Sequence, residues 1–359
     1  MAEKGVKPPK KIWISEGVMV LRGIPVVPIE NGSVTKNLTG RDIQILHDLY
    51  QYQVLTISQI KELHFGTSEK YVYKRLFQLK REGYVRAKPL VSKGKKVGAC
   101  YLITEKGVRV LEDQGLSKRE RRARDNEPES RRLPAVIERN ELYTRLQPYG
   151  WTFINGRDFK MENGYNRGSL MKGALVRQDG KEYVLYIAED NMREQTFKKL
   201  CIEINLLRDR NVLVLCKGES IYNALYKETL LAKEVNLLPI NFGVRVMQWY
   251  LSKDVFDQVL REHGEPREEE NRFAFGDQVV EDESTSYYVM DFLMGNKKAL
   301  YFLTKYSYDV YQRTGKKVLF YYWDVQEFEF PFKTYPHVIP VAMDSSILPE
   351  CRSIVIKFT

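Results

Sequence analysis

Residues 39–111 read TGRDIQILHDLYQYQVLTISQIKELHFGTSEKYVYKRLFQLKREGYVRAKPLVSKGKKVGACYLITEKGVRVL, and this stretch decides the fold. Ile43, Leu46, Leu49 and Tyr50 recur at three- and four-residue intervals behind Thr39, which predicts a helix with Thr39 as its N-cap. A second helix is predicted from Thr56. Gln59 stands there at capping-box spacing, and Ile57, Ile60 and Leu63 fall on one face. Phe65-Gly66-Thr67 supplies a turn, and Thr67 or Ser68 is placed to cap a third helix. On that helix Val72, Leu76 and Leu79 form the stripe that faces its neighbours. Lys70, Lys74, Phe77 and Arg81 fall on the opposite side, flanked by Tyr71 and Gln78. Gly83 stops it. YVRAKPLV then turns through SKGKK into VGACYLIT, a β-hairpin with Lys93, Lys95 and Lys96 around Gly94. Three helices, a basic hairpin and a further helix start together spell a winged helix-turn-helix.

Such a module presents its third helix to the major groove and its hairpin to a phosphate strand or the minor groove. The DNA-binding residues expected are therefore Lys70, Tyr71, Lys74, Gln78, Arg81, Lys93, Lys95 and Lys96. The cations supply salt-sensitive backbone affinity, while Tyr71, Gln78 or Arg81 reach base edges. The competing reading is that these are solvated charges on a small helical domain used for protein contacts. Charge distribution favours DNA. Residues 1–133 hold 27 Lys and Arg against 15 Asp and Glu, a net of +12, whereas the remainder carries a net of −2.

A chain of 359 residues, 43% hydrophobic, has room for two or three domains. Residues 1–38 read as an N-terminal arm, 39–115 as the winged domain and 116–134 as an Arg-rich linker. An α/β body unit follows over 135–250, and a second over 251–359. No apolar run approaches the roughly 18 residues of a membrane span, and the first residues lack the apolar segment of an export signal. A cytoplasmic protein without membrane contact is expected. Cys100, Cys201, Cys216 and Cys351 form no CxxC pair, so neither a zinc ribbon nor a disulfide framework is expected.

The body reads helix, strand, strand, strand, helix, strand. AVIERNELYTRLQPYG is the first helix, Asp179-Gly180 marks a hairpin between two apolar alternations, and NVLVLC is a buried strand. With the LxxLxxxGYV and YLITEKG elements upstream, residues 39–220 resemble the replication-relaxation family of plasmids and mobile elements of Gram-positive bacteria. The resemblance implies DNA binding linked to replication or mobilisation, and it brings no catalytic site.

The same strand order resembles a degenerate PD-(D/E)xK nuclease core. That chemistry needs an acid entering one strand and an acid–x–Lys on the next, to hold Mg²⁺ and position water. Here the strand entry is Lys172-Gly173-Ala174, and the next strand ends in Glu189-Asp190-Asn191. Glu138, Asp158, Glu189 and Asp190 are the carboxylates left for an irregular metal site. The preferred reading is a catalytically silent platform, with no catalytic residue, metal ligand or cofactor. His47, His64, His263 and His337 are scattered, and no P-loop, nucleophile elbow or HExxH motif is present.

Residues 287–324 repeat the strand–helix–turn–strand pattern of residues 183–216, which suggests a structural duplication. The acidic insert EHGEPREEENRFAFGDQVVEDEST between the units reads as an exposed loop with at most a short strand. Tyr287, Tyr288, Tyr301, Tyr306, Tyr308, Tyr311, Tyr321, Tyr322 and Trp323 make the last third aromatic. They are read as sheet core and a protein interface in preference to a single-strand stacking platform. The expectation is thus an α+β protein that binds duplex DNA sequence-specifically in replication, mobilisation or regulation of a plasmid-like element. A homodimer mate and a replication or regulatory protein are its further expected partners. Three alternatives are a Mg²⁺-dependent nuclease targeted by the winged domain, a ligand-sensing transcriptional regulator, and an adaptor that recruits replication proteins.

Overall fold

Two threonines set the helix boundaries of the N-terminal module. The computed structural model describes residues 20–21, 24–25, 38–66, 69–92, 95–117, 122–269, 278–282 and 285–350. Val20–Leu21 (β1) and Ile24–Pro25 (β2) form a minimal antiparallel ladder. Thr39 caps α1 (Gly40–Tyr52): its hydroxyl accepts from Asp42 N, and the Asp42 carboxylate accepts from Thr39 N. Thr56 ends β3 (Leu55–Thr56) and caps α2 (Ile57–His64) with Gln59 in the reciprocal role. The expected caps at Thr67 and Ser68 lie outside the described residues. α3 (Glu69–Arg81) ends at Gly83, where φ is +78° and Tyr84 N donates to Leu79 O.

Val72, Leu76 and Leu79 are fully buried against Ile43, Leu46, Leu49 and Ile60. Ile57 and Leu63 pack on the same cluster but are only partly covered. β4 (Val85–Ser92) and β5 (Lys95–Ile103) form the antiparallel hairpin, and β3 joins its other side in the order β3-β5-β4. α4 (Glu105–Asp113) packs back on α1.

The Arg-rich stretch is not a free tether over its described part. Residues 122–132 form two short 3₁₀ turns strapped to the N-terminal module. Buried Asn126 donates through Nδ2 to Tyr50 O at 2.7 Å, satisfying a carbonyl that the last turn of α1 leaves unpaired. Glu127 receives Lys88 at 3.0 Å as well as Arg86, both from β4. Arg122, Arg124, Arg131 and Arg132 remain exposed, so the strap is anchored by its few other polar residues.

In the body, α5 (Leu133–Leu146) leads into β6 (Thr152–Asn155), α6 (Gly156–Glu162), β7 (Gly173–Val176) and β8 (Glu182–Ala188). Then come α7 (Glu194–Asn205), β9 (Asn211–Cys216), α8 (Glu219–Lys227), β10 (Glu234–Pro239) and α9 (Ile240–Trp249). The sheet order is β10-β9-β8-β7-β6, antiparallel from β6 to β8 and parallel from β8 to β10.

After α10 (Lys253–Leu260), β11 (Glu265–Glu268), β12 (Gln278–Asp282) and β13 (Thr285–Asp291) form a second meander. α11 (Lys297–Lys305), α12 (Tyr308–Thr314), β14 (Lys317–Trp323) and β15 (Val338–Met343) complete it in the order β11-β12-β13-β14-β15. Its pairs are antiparallel up to β13 and parallel beyond, the same order and sense as the first sheet. The architecture is α+β with a repeated sheet topology. The acidic insert therefore does not merely separate the units: it supplies β11 and β12. Its charges and Pro266 sit on edge strand β11, where they deter further pairing, while Val279 and Val280 of β12 are fully buried.

Alternate residues of both sheets feed different cores. Leu213 and Leu215 of β9 and Leu319 and Tyr321 of β14 enter one central cluster, which also takes Leu142 from α5, Met247 from α9 and Phe256 from α10. Val212 and Val214 face a second cluster with Leu200 and Ile221, and Val318 and Phe320 a third with Leu303. The N-terminal module belongs to the central cluster as well. Asn140 on α5 is buried and donates to Tyr52 O and Val54 O at 3.0 and 2.6 Å, and the Tyr52 and Tyr143 rings lie 4.1 Å apart.

Gly173 opens β7 at φ +139°, and a Cβ there would stand 2.1 Å from the Ile154 carbonyl oxygen. Gly173→Ala is expected to destabilise the chain by at least about 1–3 kcal/mol from backbone strain alone. Urea unfolding checks this, and a midpoint unchanged from that of the parent chain would refute it.

Candidate nucleic-acid interface

The outward side of α3 combines charge with exposed rings. Lys70, Lys74, Lys80 and Arg81 are exposed, and among the described residues none of them forms an ion pair. Between them stand Tyr71, Tyr73 and Phe77, which are 47%, 51% and 65% exposed. Isolated surface rings are ordinary, but three within two helical turns beside four cations make a contiguous face suited to a polyanion with flat, stackable groups.

Arg75 behaves differently from its neighbours. Its Nε donates to Asp42 Oδ1 at 2.6 Å, and Nη2 pairs with Asp42 Oδ2. Its Nη1 donates to Gln78 Oε1 at 3.0 Å. The hydrogen bonds to the Asp42 carboxylate raise the guanidinium pKa above its ordinary value. Arg75 thus bolts α3 to the start of α1 and orients half-buried Gln78, whose oxygen is engaged within the protein.

Sequence reading missed Arg41. It lies at the start of α1, where its guanidinium stands 5.1 Å from the Phe65 ring centroid and 6.0 Å from that of Tyr71. These two rings are 5.7 Å apart, so a cation and two aromatics make one layer at the N-terminal end of α3. Nothing in the local pattern pairs Arg41 with Tyr71. Tyr73, by contrast, was legible: at 100° per residue it lies 60° from Lys70. On the hairpin, the backbones of Lys95 and Lys96 pair with Ser92 and Val91 beside a bulge at Leu90/Val91. Lys93 lies outside the described residues.

Residues 46–181 match the family model described as replication-relaxation. The match is narrower than the resemblance over 39–220. The matched segment runs from the middle of α1 to the turn before β8, so it holds the α3 face, the strap and the first two strands of the body. A search of curated proteins and a search of solved structures gave no match.

The carboxylates weighed for metal chemistry lie within and just beyond the matched segment, and each has other work. Glu138 and Glu189 share the Lys217 ammonium, with Nζ at 2.6 and 2.7 Å. Asp158 receives Asn155 Nδ2 at 2.6 Å at the start of α6. Asp190 accepts from Ile221 N in the first turn of α8 at 3.3 Å and lies against Gly218. Among the described residues no group of three His, Cys, Asp or Glu side chains is arranged to hold a metal ion.

The histidines are equally dispersed. His64 Nε2 lies 2.8 Å from Asp48, His263 pairs with the Tyr321 hydroxyl at 2.9 Å, and His337 with Tyr306 O at 2.6 Å. Cys100, Cys201 and Cys216 are free thiols, and burial pushes Cys216 up to about 12, which suits it to packing and not to nucleophilic attack. Of the aromatic C-terminal third, Tyr306, Tyr321 and Trp323 are fully buried in sheet cores. No helix of the described residues is long and apolar enough to cross a membrane.

Proposed function

We propose that the chain is a sequence-specific binder of duplex DNA, acting in replication, mobilisation or regulation of a plasmid-like element. The N-terminal module works as a winged helix-turn-helix. α3 enters the major groove, Lys70, Lys74 and Arg81 lie along phosphates, and Tyr71 and Gln78 meet base edges. The hairpin carrying Lys93, Lys95 and Lys96 follows the adjacent strand. The observation that carries this reading is the exposed α3 face, where cations that form no ion pair among the described residues alternate with rings. The replication-relaxation match of residues 46–181 supports the replication or mobilisation context. The body, whose candidate carboxylates are engaged elsewhere, serves as a platform for the module.

Selection of bound fragments from a mixed chromosomal and plasmid library tests the proposal. The expected result is one enriched motif, bound about 10³-fold or more tightly than random duplex at physiological salt. A site at a replication origin assigns the protein to replication, and one at a promoter to regulation. Retention of all fragments alike, or of none, would defeat the proposal.

A further inference from the structure

A second cationic feature lies away from α3, and the DNA reading does not use it. The strap, the first turns of α5 and the α6 region with the loop 164–172 enclose a cleft of about 930 Å³. Arg132, Arg139, Arg157, Lys160, Arg167 and Lys172 line it. Its acidic lining residues are Asp125, Glu127 and Glu129, and the last two are committed, Glu127 to Arg86 and Lys88 and Glu129 to Arg131. Val136, Met161, Leu170 and Met171 add an apolar wall, and Tyr165 an aromatic one.

Some of the cations serve the fold. Lys160 donates to Ser169 O at 2.6 Å and so closes the 164–172 loop, and Arg157 donates to Asp125 O at 3.1 Å. Arg139 and Lys172 do not have such an outlet. Both are half-buried, and among the described residues neither pairs with a carboxylate. Among the described residues Arg139 reaches the amide oxygen of adjacent Asn140, at 3.2 Å, and the Phe153 ring, 5.7 Å away. Desolvation lowers both pKa values, Arg139 to about 10, and the Arg139 charge lowers Lys172 further. Two partly desolvated like charges without a carboxylate destabilise an empty cleft and favour an anion in it.

Lys172 stands at the entry to β7, where a metal-dependent nuclease with this strand order would carry its first acid. The neighbouring carboxylates Glu138 and Glu189 are already held by Lys217. Where that chemistry would gather negative charge around a cation, this chain gathers positive charge around a cavity.

We propose that this cleft is a phosphate-binding site, in which Arg139 and Lys172 hold a phosphate group and the apolar wall with Tyr165 covers the attached nucleoside. The phosphate comes either from a free nucleotide or from a nucleic-acid strand, and a volume of about 930 Å³ accommodates one nucleotide.

The test uses the full-length chain with AMP, dTMP and inorganic pyrophosphate in equilibrium dialysis and thermal shift, with and without excess duplex. Saturable nucleotide binding is expected, weakened about tenfold or more in Lys172→Gln, the loss of one charge-assisted contact. Lys172→Gln is also expected to leave the ligand-free melting temperature equal or higher, because it removes a desolvated charge, which a residue holding the fold together would not do. Exposed Arg167→Gln provides a second variant with little risk to folding and a smaller loss. Duplex that displaces the nucleotide assigns the site to a DNA strand, and duplex that leaves it bound assigns it to a free nucleotide. Absence of binding by all three probes, or binding unaltered in Lys172→Gln, overturns the site. The Lys74→Glu variant separates the two proposals, since it should weaken duplex retention and leave nucleotide binding unchanged.

Discussion

Simultaneous replacement of Lys70, Lys74 and Arg81 by glutamate is expected to lower duplex affinity about 500-fold or more at 0.1 M salt. Each phosphate neutralised on B-DNA contributes a slope of about 0.9 to the dependence of log affinity on log salt, or a factor of about eight at that concentration. Three lost contacts multiply to the stated loss, and reversed charges add repulsion. The salt slope should fall by about 2.7, which distinguishes lost phosphate contacts from lost base contacts. Stability should move by no more than about 0.5 kcal/mol, because the three side chains are exposed and form no ion pair among the described residues. Fluorescence anisotropy over a salt series reads both quantities. Binding that keeps its parent affinity and slope would exclude α3 as the DNA-facing helix.

The features that made this prediction possible are local, and for that reason they were legible. The N-cap at Thr39, the capping box at Thr56, the stripe of Val72, Leu76 and Leu79, and the stop at Gly83 each depend on residues close together in the chain. The structure realises all of them. The repeat was also visible, since strand spacing survives when residue identity does not. Two kinds of feature were hidden.

Contacts between residues distant in the chain leave no spacing signal. Lys217 meets Glu138 across 79 positions, and Asn126 reaches the end of α1 across 76. An Arg-rich stretch anchored by Asn126 and Glu127 therefore reads as a linker. Similarly, β12 contributes just two buried valines amid acidic residues, too short an alternation to outweigh the charge around it. The cationic cleft lay deeper still, because its residues come from three separate stretches of chain, Gln53, residues 125–139 and residues 156–172. Only Lys172, in place of an expected acid, hinted at it.

The largest effect on stability is expected from Arg75→Ala. Asp42 is fully buried, and its carboxylate accepts from Thr39 N at 2.6 Å, from the Thr39 hydroxyl and from two nitrogens of Arg75. Removal of the guanidinium leaves a buried carboxylate with only neutral donors. That arrangement costs about 3–5 kcal/mol, a large fraction of the roughly 5–15 kcal/mol that holds a domain together. The pair itself need not be strongly stabilising, since desolvation of two charges offsets most of their attraction. Asp42→Asn combined with Arg75→Met should therefore recover much of the loss, because the amide oxygen can still accept from Thr39 N and no charge is left buried.

This contrast separates a bolt from a DNA contact. Arg75→Ala should lower the urea midpoint and weaken duplex binding together, because α3 loses its attachment to α1 and Gln78 its support. The double variant should regain stability and most of its affinity for duplex. Were Arg75→Ala to unfold within about 1 kcal/mol of the parent chain, Arg75 would not be the bolt that fixes α3 to α1.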